Sequence, residues 1–171
     1  MRSLRKTMSS STPDLVAAVL TVSDSSSRGE RSDASGPAVV ELLTQKNIKV
    51  VVTGIVSDDQ PDIERAIRRL ASSAGLVVTT GGTGIAPRDV TPEATRAVCT
   101  RLLEGIPERM RYEGSKNSPF AALSRGVCGV CDKSLVLNLP GNPSGATDSL
   151  AAVVDLLPHA VQLLRGNTEH D

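Results

Sequence analysis

Aromatic residues are nearly absent from this chain of 171 residues, which has one Tyr, one Phe and no Trp. Proteins that bind single-stranded nucleic acid stack its bases on aromatic side chains, so this class is excluded and the core must be aliphatic. The chain also lacks surplus charge, because nineteen Lys plus Arg balance nineteen Asp plus Glu. A net charge of zero argues against a broad surface for nucleic acid or an anionic membrane. Any anionic ligand must therefore be held by local groups.

Paired cysteines and long apolar runs are lacking as well. The three cysteines cannot all pair, and no apolar run suits a signal-peptide core or a membrane span. We therefore predict a cytoplasmic protein with no membrane partner. Cys128 and Cys131 have the C-x-x-C spacing. No second pair supplies further zinc ligands and no helix start follows, so we interpret both as buried or strand-edge thiols.

Apolar runs alternate with helical patterns over residues 15–166, which we predict to be one domain between a disordered leader (residues 1–14) and a short tail (residues 167–171). The predicted strands are Leu15–Val22, Ile48–Val56, Leu76–Thr80 and Ser134–Leu139. Three helices are expected in the first part of the chain: one after Gly36-Pro37, one from Pro61 with Asp59 as its cap, and one from a Thr91 cap to about Leu103. Residues 105–126 should be helical in pieces broken at Gly114 and Pro119. A last helix should run from Ala146 to Leu164 with a kink at Pro158. This alternation predicts an α/β fold, a three-layer α/β/α sandwich with a mainly parallel central sheet.

Four loops follow the ends of the predicted strands, where ligands bind in such sheets. They cover residues 23–36, 57–59, 81–89 and 140–144. Gly81-Gly82-Thr83-Gly84 would let backbone amides and a hydroxyl approach phosphate oxygens, or would simply form a tight turn. Pro140 to Ser144 would form a rigid clamp or a turn. The G-x-G-x-x-G and G-x-x-x-x-G-K-[ST] patterns are absent, which disfavours a dinucleotide or ordinary P-loop site.

Two aspartates in these loops are candidate magnesium ligands. Asp58 and Asp89 could hold Mg²⁺ on phosphate groups, or could serve as helix caps and solvated charges. Neither His159 nor His170 follows a predicted strand, so no catalytic histidine is expected.

Three motifs occur in order along the chain: T-V-S-D(x8)D-A-S-G-P at 21–37, T-T-G-G-T-G-I-A-P-R-D-V-T-P-E-A-T at 79–95 and N-L-P-G-N-P-S-G at 138–145. Together they resemble molybdenum cofactor biosynthesis proteins of the MogA and MoaB type. The resemblance extends to the matching domain of gephyrin, and the R-D-V-T-P-E-A-T segment looks closer to the MogA branch. It implies Mg²⁺-dependent transfer of AMP from ATP to the terminal phosphate of molybdopterin, giving adenylyl-molybdopterin and pyrophosphate. It also implies a homotrimer and a partner enzyme that inserts molybdenum.

The resemblance also implies roles for individual residues. It assigns catalysis and metal binding to Asp58 and Asp89, and ligand binding to Ser23, Asp24, Ser35, Gly36, Gly81, Gly82, Thr83, Gly84, Pro140, Gly141, Asn142 and Pro143. The loop at 23–36 would face the pterin, whose ring would be held mainly by hydrogen bonds and aliphatic contacts, and the other glycine and proline loops would frame the adenylate. A non-catalytic pterin-binding paralogue is the alternative, and a nucleotide-processing enzyme related to competence-damage proteins is a third hypothesis.

Overall fold

The computed structural model describes residues 14–167. The predicted leader, apart from Asp14, and residues 168–171 of the predicted tail lie outside the described residues. Within residues 14–167, no helix is both long and apolar enough to cross a membrane.

Six strands form one mixed sheet in the order β2-β1-β3-β6-β5-β4. The strands are β1 (Val16–Val22), β2 (Lys49–Val56), β3 (Leu76–Thr80), β4 (Arg101–Leu102), β5 (Cys128–Cys131) and β6 (Ser134–Leu139). Four of them, β2, β1, β3 and β6, run parallel, whereas β5 is antiparallel to both of its neighbours. All four predicted strands and the mainly parallel sheet are thus confirmed. Because β1, β3 and β6 are neighbours, the loops at their carboxyl ends lie side by side.

Helices cover both faces of the sheet. They are α1 (Asp24–Ser27), α2 (Ser35–Gln45), α3 (Gln60–Ala71), α4 (Thr91–Val98), α5 (Gly105–Ser115), α6 (Pro143–Val153) and α7 (Leu157–Leu164), with 3₁₀ turns at Pro119–Leu123 and Val154–Leu156. One core packs α2, α5, α6 and α7 on one side of the sheet, and a second packs α3 and α4 on the other. Alternate residues of β1 enter opposite cores, as expected for a strand buried on both faces. The predicted three-layer sandwich is confirmed.

Helix α3 shows how local sequence sets these elements. The Asp59 side chain accepts a hydrogen bond from the Asp62 amide at 3.2 Å, so Asp59 is the predicted cap. The apolar positions of α3 face the second core: Ile63, Ala66, Ile67 and Leu70. The last predicted helix is split before Pro158, which has no amide hydrogen and crowds the carbonyl four residues earlier.

Two predictions about α4 are wrong. The helix ends at Val98 rather than near Leu103, because the following chain pairs with β5: the Thr100 amide donates to the Val130 carbonyl at 2.9 Å and the Leu103 amide to the Cys128 carbonyl at 2.8 Å. Thr91 is the first residue of the helix rather than its cap. Its hydroxyl is committed elsewhere, since it donates to the Gly81 carbonyl at 2.9 Å.

Strand β5 contains the C-x-x-C segment, and both thiols are 1% exposed. The interpretation of Cys128 and Cys131 as buried thiols is therefore confirmed. The pieces predicted over residues 105–126 correspond to α5 and the 3₁₀ turn that starts at Pro119.

Candidate functional site

A cavity of about 530 Å³ opens at the carboxyl ends of β3 and β6. Its volume is in the range of sites that enclose small ligands. One wall is made by the two loops that follow these strands, and it contains seven of the predicted site residues: Gly82, Thr83, Gly84, Asp89, Pro140, Gly141 and Asn142. The structure therefore brings together two segments that are more than 50 residues apart in the sequence.

The glycine loop after β3 is both a tight turn and a source of free donors. Gly81 and Gly82 have φ values of +93° and +68°, which favour glycine, and a Cβ on Gly81 would lie 2.3 Å from the Val22 carbonyl oxygen. The Gly81 amide donates to the Leu139 carbonyl at 3.0 Å, so it is used by the sheet. Among the hydrogen bonds within residues 14–167, none is donated by the amides of Gly82, Thr83 or Gly84. These three amides are the donors that the turn leaves for an anion.

The loop after β6 leads directly into the N-terminus of α6. Asn142 caps this helix, since its Oδ1 accepts a hydrogen bond from the Gly145 amide at 2.6 Å. Gly141 packs against the glycine loop, and a Cβ there would lie 3.2 Å from the Gly81 Cα. The positive end of the helix dipole thus lies at the cavity beside the glycine loop, which suits a phosphate group.

The opposite wall of the cavity was not predicted from the sequence. It is formed by α5, the 3₁₀ turn and α6, through residues that include Met110, Arg111, Asn117, Ser118, Phe120, Ser124 and Asp148. Phe120 is 75% exposed although it is the only Phe of the chain. One of the two aromatic rings is therefore available to a ligand, in addition to the hydrogen bonds and aliphatic contacts that the composition favoured.

Of the two candidate magnesium ligands, Asp89 lines this cavity and Asp58 lies outside its lining. The Asp58 carboxylate accepts a hydrogen bond from the Asp24 amide at 3.0 Å, and the Asp58 amide donates to the Asp24 carboxylate at 2.7 Å. The Asp24 carboxylate also pairs with Arg88. Burial raises the pKa of Asp58, and the negative charge of Asp89 raises it further. The negative charges of Asp58 and Asp89 therefore act on each other, which is compatible with a shared cation.

Their chemistry fits Mg²⁺. Carboxylate oxygens are hard ligands, and Mg²⁺ is usually held by one or two carboxylates together with substrate phosphates and water. No cluster of three or more His, Cys, Asp or Glu suited to a metal occurs among residues 14–167. A magnesium ion at Asp58 and Asp89 would consequently be completed by phosphate oxygens of a ligand.

The other seven predicted site residues lie outside the lining of the cavity: Ser23, Asp24, Ser35, Gly36, Asp58, Gly81 and Pro143. Ser35 and Gly36 are buried, and both bond to Asp33: the Gly36 amide donates to its carboxylate at 3.0 Å and the Ser35 hydroxyl at 3.4 Å. Ser23 caps α1 and Pro143 begins α6. Binding of the pterin by the loop at 23–36 therefore stays a prediction, and Asp33 is the residue that shapes this loop.

Comparison with known proteins places the chain in a family. The pattern of the family described as probable molybdopterin binding domain matches residues 18–159. The chain belongs to this molybdopterin-binding family. A molybdopterin adenylyltransferase of Helicobacter pylori is 42% identical over 153 residues, which cover 87% of each protein. The crystal structure of the molybdopterin biosynthesis enzyme MoaB from Thermus thermophilus has a TM-score of 0.84 and 46% identity, and the match covers 89% of this chain and 97% of that one.

The molybdopterin-binding domain also occurs inside longer proteins. The molybdenum cofactor synthesis protein cinnamon of Drosophila melanogaster is 39% identical over 149 residues, which cover 85% of this chain and 25% of that protein. The predicted resemblance to the MogA and MoaB type is confirmed. Identity does not assign the chain to one branch, because a protein named MoaB and a protein named adenylyltransferase are both above 40% identical. The assignment to the MogA branch stays a prediction.

Proposed function

We propose that this protein is a molybdopterin adenylyltransferase that uses Mg²⁺ and ATP and releases pyrophosphate. The observation that carries the proposal is the cavity itself, where three unused amides, the α6 N-terminus and Asp89 lie together, and the charge of Asp89 acts on Asp58. Such a site binds phosphates without surplus basic side chains, which agrees with a net charge of zero. The curated adenylyltransferase from Helicobacter pylori supports the same activity.

The reaction requires positioning rather than a catalytic base. An oxygen of the molybdopterin phosphate forms a bond to the α-phosphorus of ATP, the bond from that phosphorus to the bridging oxygen breaks, and pyrophosphate leaves with the electron pair. The attacking oxygen is already ionised near neutral pH, so no side chain has to remove a proton. Asp58 and Asp89 would hold Mg²⁺, which neutralises charge on the phosphates when it is bound.

The other residues of the wall bind and orient the two substrates. The amides of Gly82, Thr83 and Gly84 would donate hydrogen bonds to phosphate oxygens, and the positive end of the α6 dipole lies beside them. On the opposite side, Phe120 offers a face to a flat heterocycle. The glycine and proline loops therefore remain the proposed adenylate frame, and the loop at 23–36 remains the proposed pterin contact.

The decisive experiment supplies ATP, MgCl₂ and purified molybdopterin and measures pyrophosphate and adenylylated pterin. We expect both products in equal amounts. Turnover should be at least about tenfold lower in Asp89→Asn, because loss of the carboxylate charge weakens the binding of the Mg²⁺ that would neutralise the phosphates. Binding of molybdopterin in calorimetry without adenylylated product would instead select the non-catalytic pterin-binding alternative. Full activity of Asp89→Asn would remove Asp89 from the mechanism.

Three further parts of the proposal concern the surroundings of the enzyme. We propose a homotrimer of three 17.9 kDa chains, and light scattering that detects only monomer at micromolar concentration would contradict it. A molybdenum insertion enzyme is the proposed consumer of the product, and the presence of this domain within the longer protein cinnamon supports such coupling. The cytoplasm is the proposed compartment, which agrees with the free thiols of Cys99, Cys128 and Cys131.

A further inference from the structure

Arg125 follows the 3₁₀ turn and reaches across to the loop that carries Asp89. Its amide donates to the Thr83 carbonyl at 2.8 Å, its Nε to the Gly84 carbonyl at 2.7 Å, and one terminal nitrogen to the Asp89 carbonyl at 2.7 Å. One residue therefore bonds to three backbone carbonyls of a segment that has no helix or strand of its own.

Glu93 on α4 fixes the guanidinium group in this position. Both terminal nitrogens of Arg125 donate to the Glu93 carboxylate, one to each oxygen. A bidentate pair of this kind defines the plane of the guanidinium as well as its position. The hydrogen bond to Glu93 raises the pKa of Arg125, and the same hydrogen bond lowers the pKa of Glu93, so both groups stay charged.

The contacts of Arg125 use the carbonyls of the glycine loop and leave its amides free. Arg125 donates hydrogen bonds to the carbonyls of Thr83 and Gly84, whereas the amides of the same two residues donate no hydrogen bond within residues 14–167. The segment has two internal hydrogen bonds, from the Asp89 amide to the Ala86 carbonyl at 2.9 Å and from the Ala86 amide to the Asp89 carboxylate at 3.0 Å, and one further outside contact, the ion pair of Arg88 with Asp24. Ile85, which directly precedes Ala86, is 72% exposed. Arg125 thus makes three hydrogen bonds that tie this segment to the rest of the fold, beside the single ion pair of Arg88 with Asp24.

We propose that Arg125, held by Glu93, is a positioning residue that fixes residues 83–89 so that Asp89 and the loop amides are presented to the phosphates of the substrate. The consequence for catalysis rests on the proposed function, whereas the effect on the loop does not. Arg125 touches no reacting atom in this scheme. It acts through Asp89 and through the backbone of the glycine loop.

The role depends on the shape of the side chain and not on its charge alone. A lysine offers one compact ammonium group, which cannot bond to two carbonyls and a bidentate carboxylate in one plane. Arg125→Lys is therefore the test variant, and Glu93→Gln is the second, because it keeps an acceptor and removes the charge. Arg69→Lys is the matched control, since Arg69 is exposed on α3 on the far side of the sheet from α5 and α6.

The first measurement needs no activity. Hydrogen–deuterium exchange of the peptide spanning residues 83–89 is compared in wild type, Arg125→Lys and Arg69→Lys, without ligands. We expect exchange in this peptide to be about tenfold faster or more in Arg125→Lys, because local openings govern exchange, and unchanged in Arg69→Lys. Peptides from α3 and β1 should exchange as in wild type. Unchanged exchange at 83–89, or equal acceleration throughout the protein, would overturn the proposal.

The second measurement asks whether Arg125 acts through Asp89. Adenylyl transfer is measured in Arg125→Lys, Asp89→Asn and the double variant. We expect kcat to fall about tenfold or more in Arg125→Lys, as a misplaced group does. The double variant should be no slower than Asp89→Asn alone, because residues that act as a unit are not additive. Multiplied losses in the double variant would show an independent structural effect and would contradict the proposal.

The two measurements distinguish a failure of the proposed function from a failure of the positioning role of Arg125. If wild-type protein transfers no adenylyl group, the proposed function fails, and the exchange experiment still decides whether Arg125 holds the loop. If wild type is active and Arg125→Lys matches it in both exchange and kcat, the positioning role fails and the proposed function stands.

Discussion

Replacing Asn138 by Ala should destabilise the protein strongly, because Asn138 connects the sheet to the glycine loop. The side chain is completely buried at the end of β6. Its Nδ2 donates to the hydroxyls of Thr79 and Thr95 at 3.0 and 2.9 Å, and its Oδ1 accepts from the Val127 amide at 3.1 Å. The chain continues outward, because the Thr95 hydroxyl donates to the Thr91 carbonyl at 2.8 Å and the Thr91 hydroxyl to the Gly81 carbonyl at 2.9 Å.

The magnitude follows from the groups that lose a partner. A typical buried hydrogen bond contributes about 1 kcal/mol, and an amide left without a partner costs about 1–3 kcal/mol. The two threonine hydroxyls can still donate, so the orphaned Val127 amide is the main additional cost. We expect Asn138→Ala to lower the free energy of unfolding by about 3–5 kcal/mol. For a protein of this size that corresponds to a fall in Tm of roughly 6–20 °C.

The assay is urea denaturation followed by far-UV circular dichroism at one fixed protein concentration, with Tm from calorimetry as a second reading. Asn167→Ala, at an exposed position after α7, is the control and should change stability by less than about 0.5 kcal/mol. Thr79→Val removes one of the three bonds and should cost about 1 kcal/mol. A loss below about 1 kcal/mol in Asn138→Ala would refute the reasoning, because the buried amide would then have found another partner.

Three other predictions use the pKa shifts and the second wall of the cavity. Burial and the charge of Asp89 raise the folded-state pKa of Asp58 above its unfolded value, so ionised Asp58 opposes folding at pH values above that pKa, and the effect disappears as pH falls. Asp58→Asn should therefore raise the Tm measured by calorimetry at pH 7 while it lowers turnover. A lower Tm in Asp58→Asn would contradict this sign. Phe120→Ala should raise KM about five- to thirtyfold, in the range of lost ring stacking, with kcat and Tm nearly unchanged, and Phe120→Tyr should restore KM. Burial raises the pKa of Cys99 and of Cys128 to about 12, so neither thiol should react with Ellman's reagent at pH 8 until urea is added. Rapid reaction of Cys128 in the native state would exclude the buried strand β5.

The central strands could be predicted because each is buried on both faces. In β1, β3 and β6 most residues are apolar and run consecutively, and this pattern is visible without knowledge of the neighbours. Strand β4 has only two residues, Arg101 and Leu102, and both are exposed, so no local pattern marks it. It forms because β5 offers backbone partners, which is a tertiary effect that overrides the helical spacing after Thr91.

The candidate site was predictable to the extent that it lies in loops after strands. Gly82, Thr83, Gly84, Asp89 and the loop at 140–142 follow β3 and β6, so the topology alone brings them to one edge. No such rule predicts the position of the second wall of the cavity. Its residues belong to α5 and a 3₁₀ turn, whose position is set by packing against α6. The cavity therefore required the structure.

Arg125 and Glu93 illustrate a different limit. They are 32 residues apart, lie in unrelated elements, and form the bidentate pair that ties down the Asp89 loop. Because Glu93 neutralises the guanidinium, Arg125 adds little net charge to the cavity even though it lies beside it. The groups that face a polyanion are then the loop amides, the α6 dipole and Arg111 of the opposite wall. A chain with no net charge can therefore bind a phosphorylated substrate, because Arg125, in the proposed role, orients backbone amides toward the phosphates and does not bind them directly.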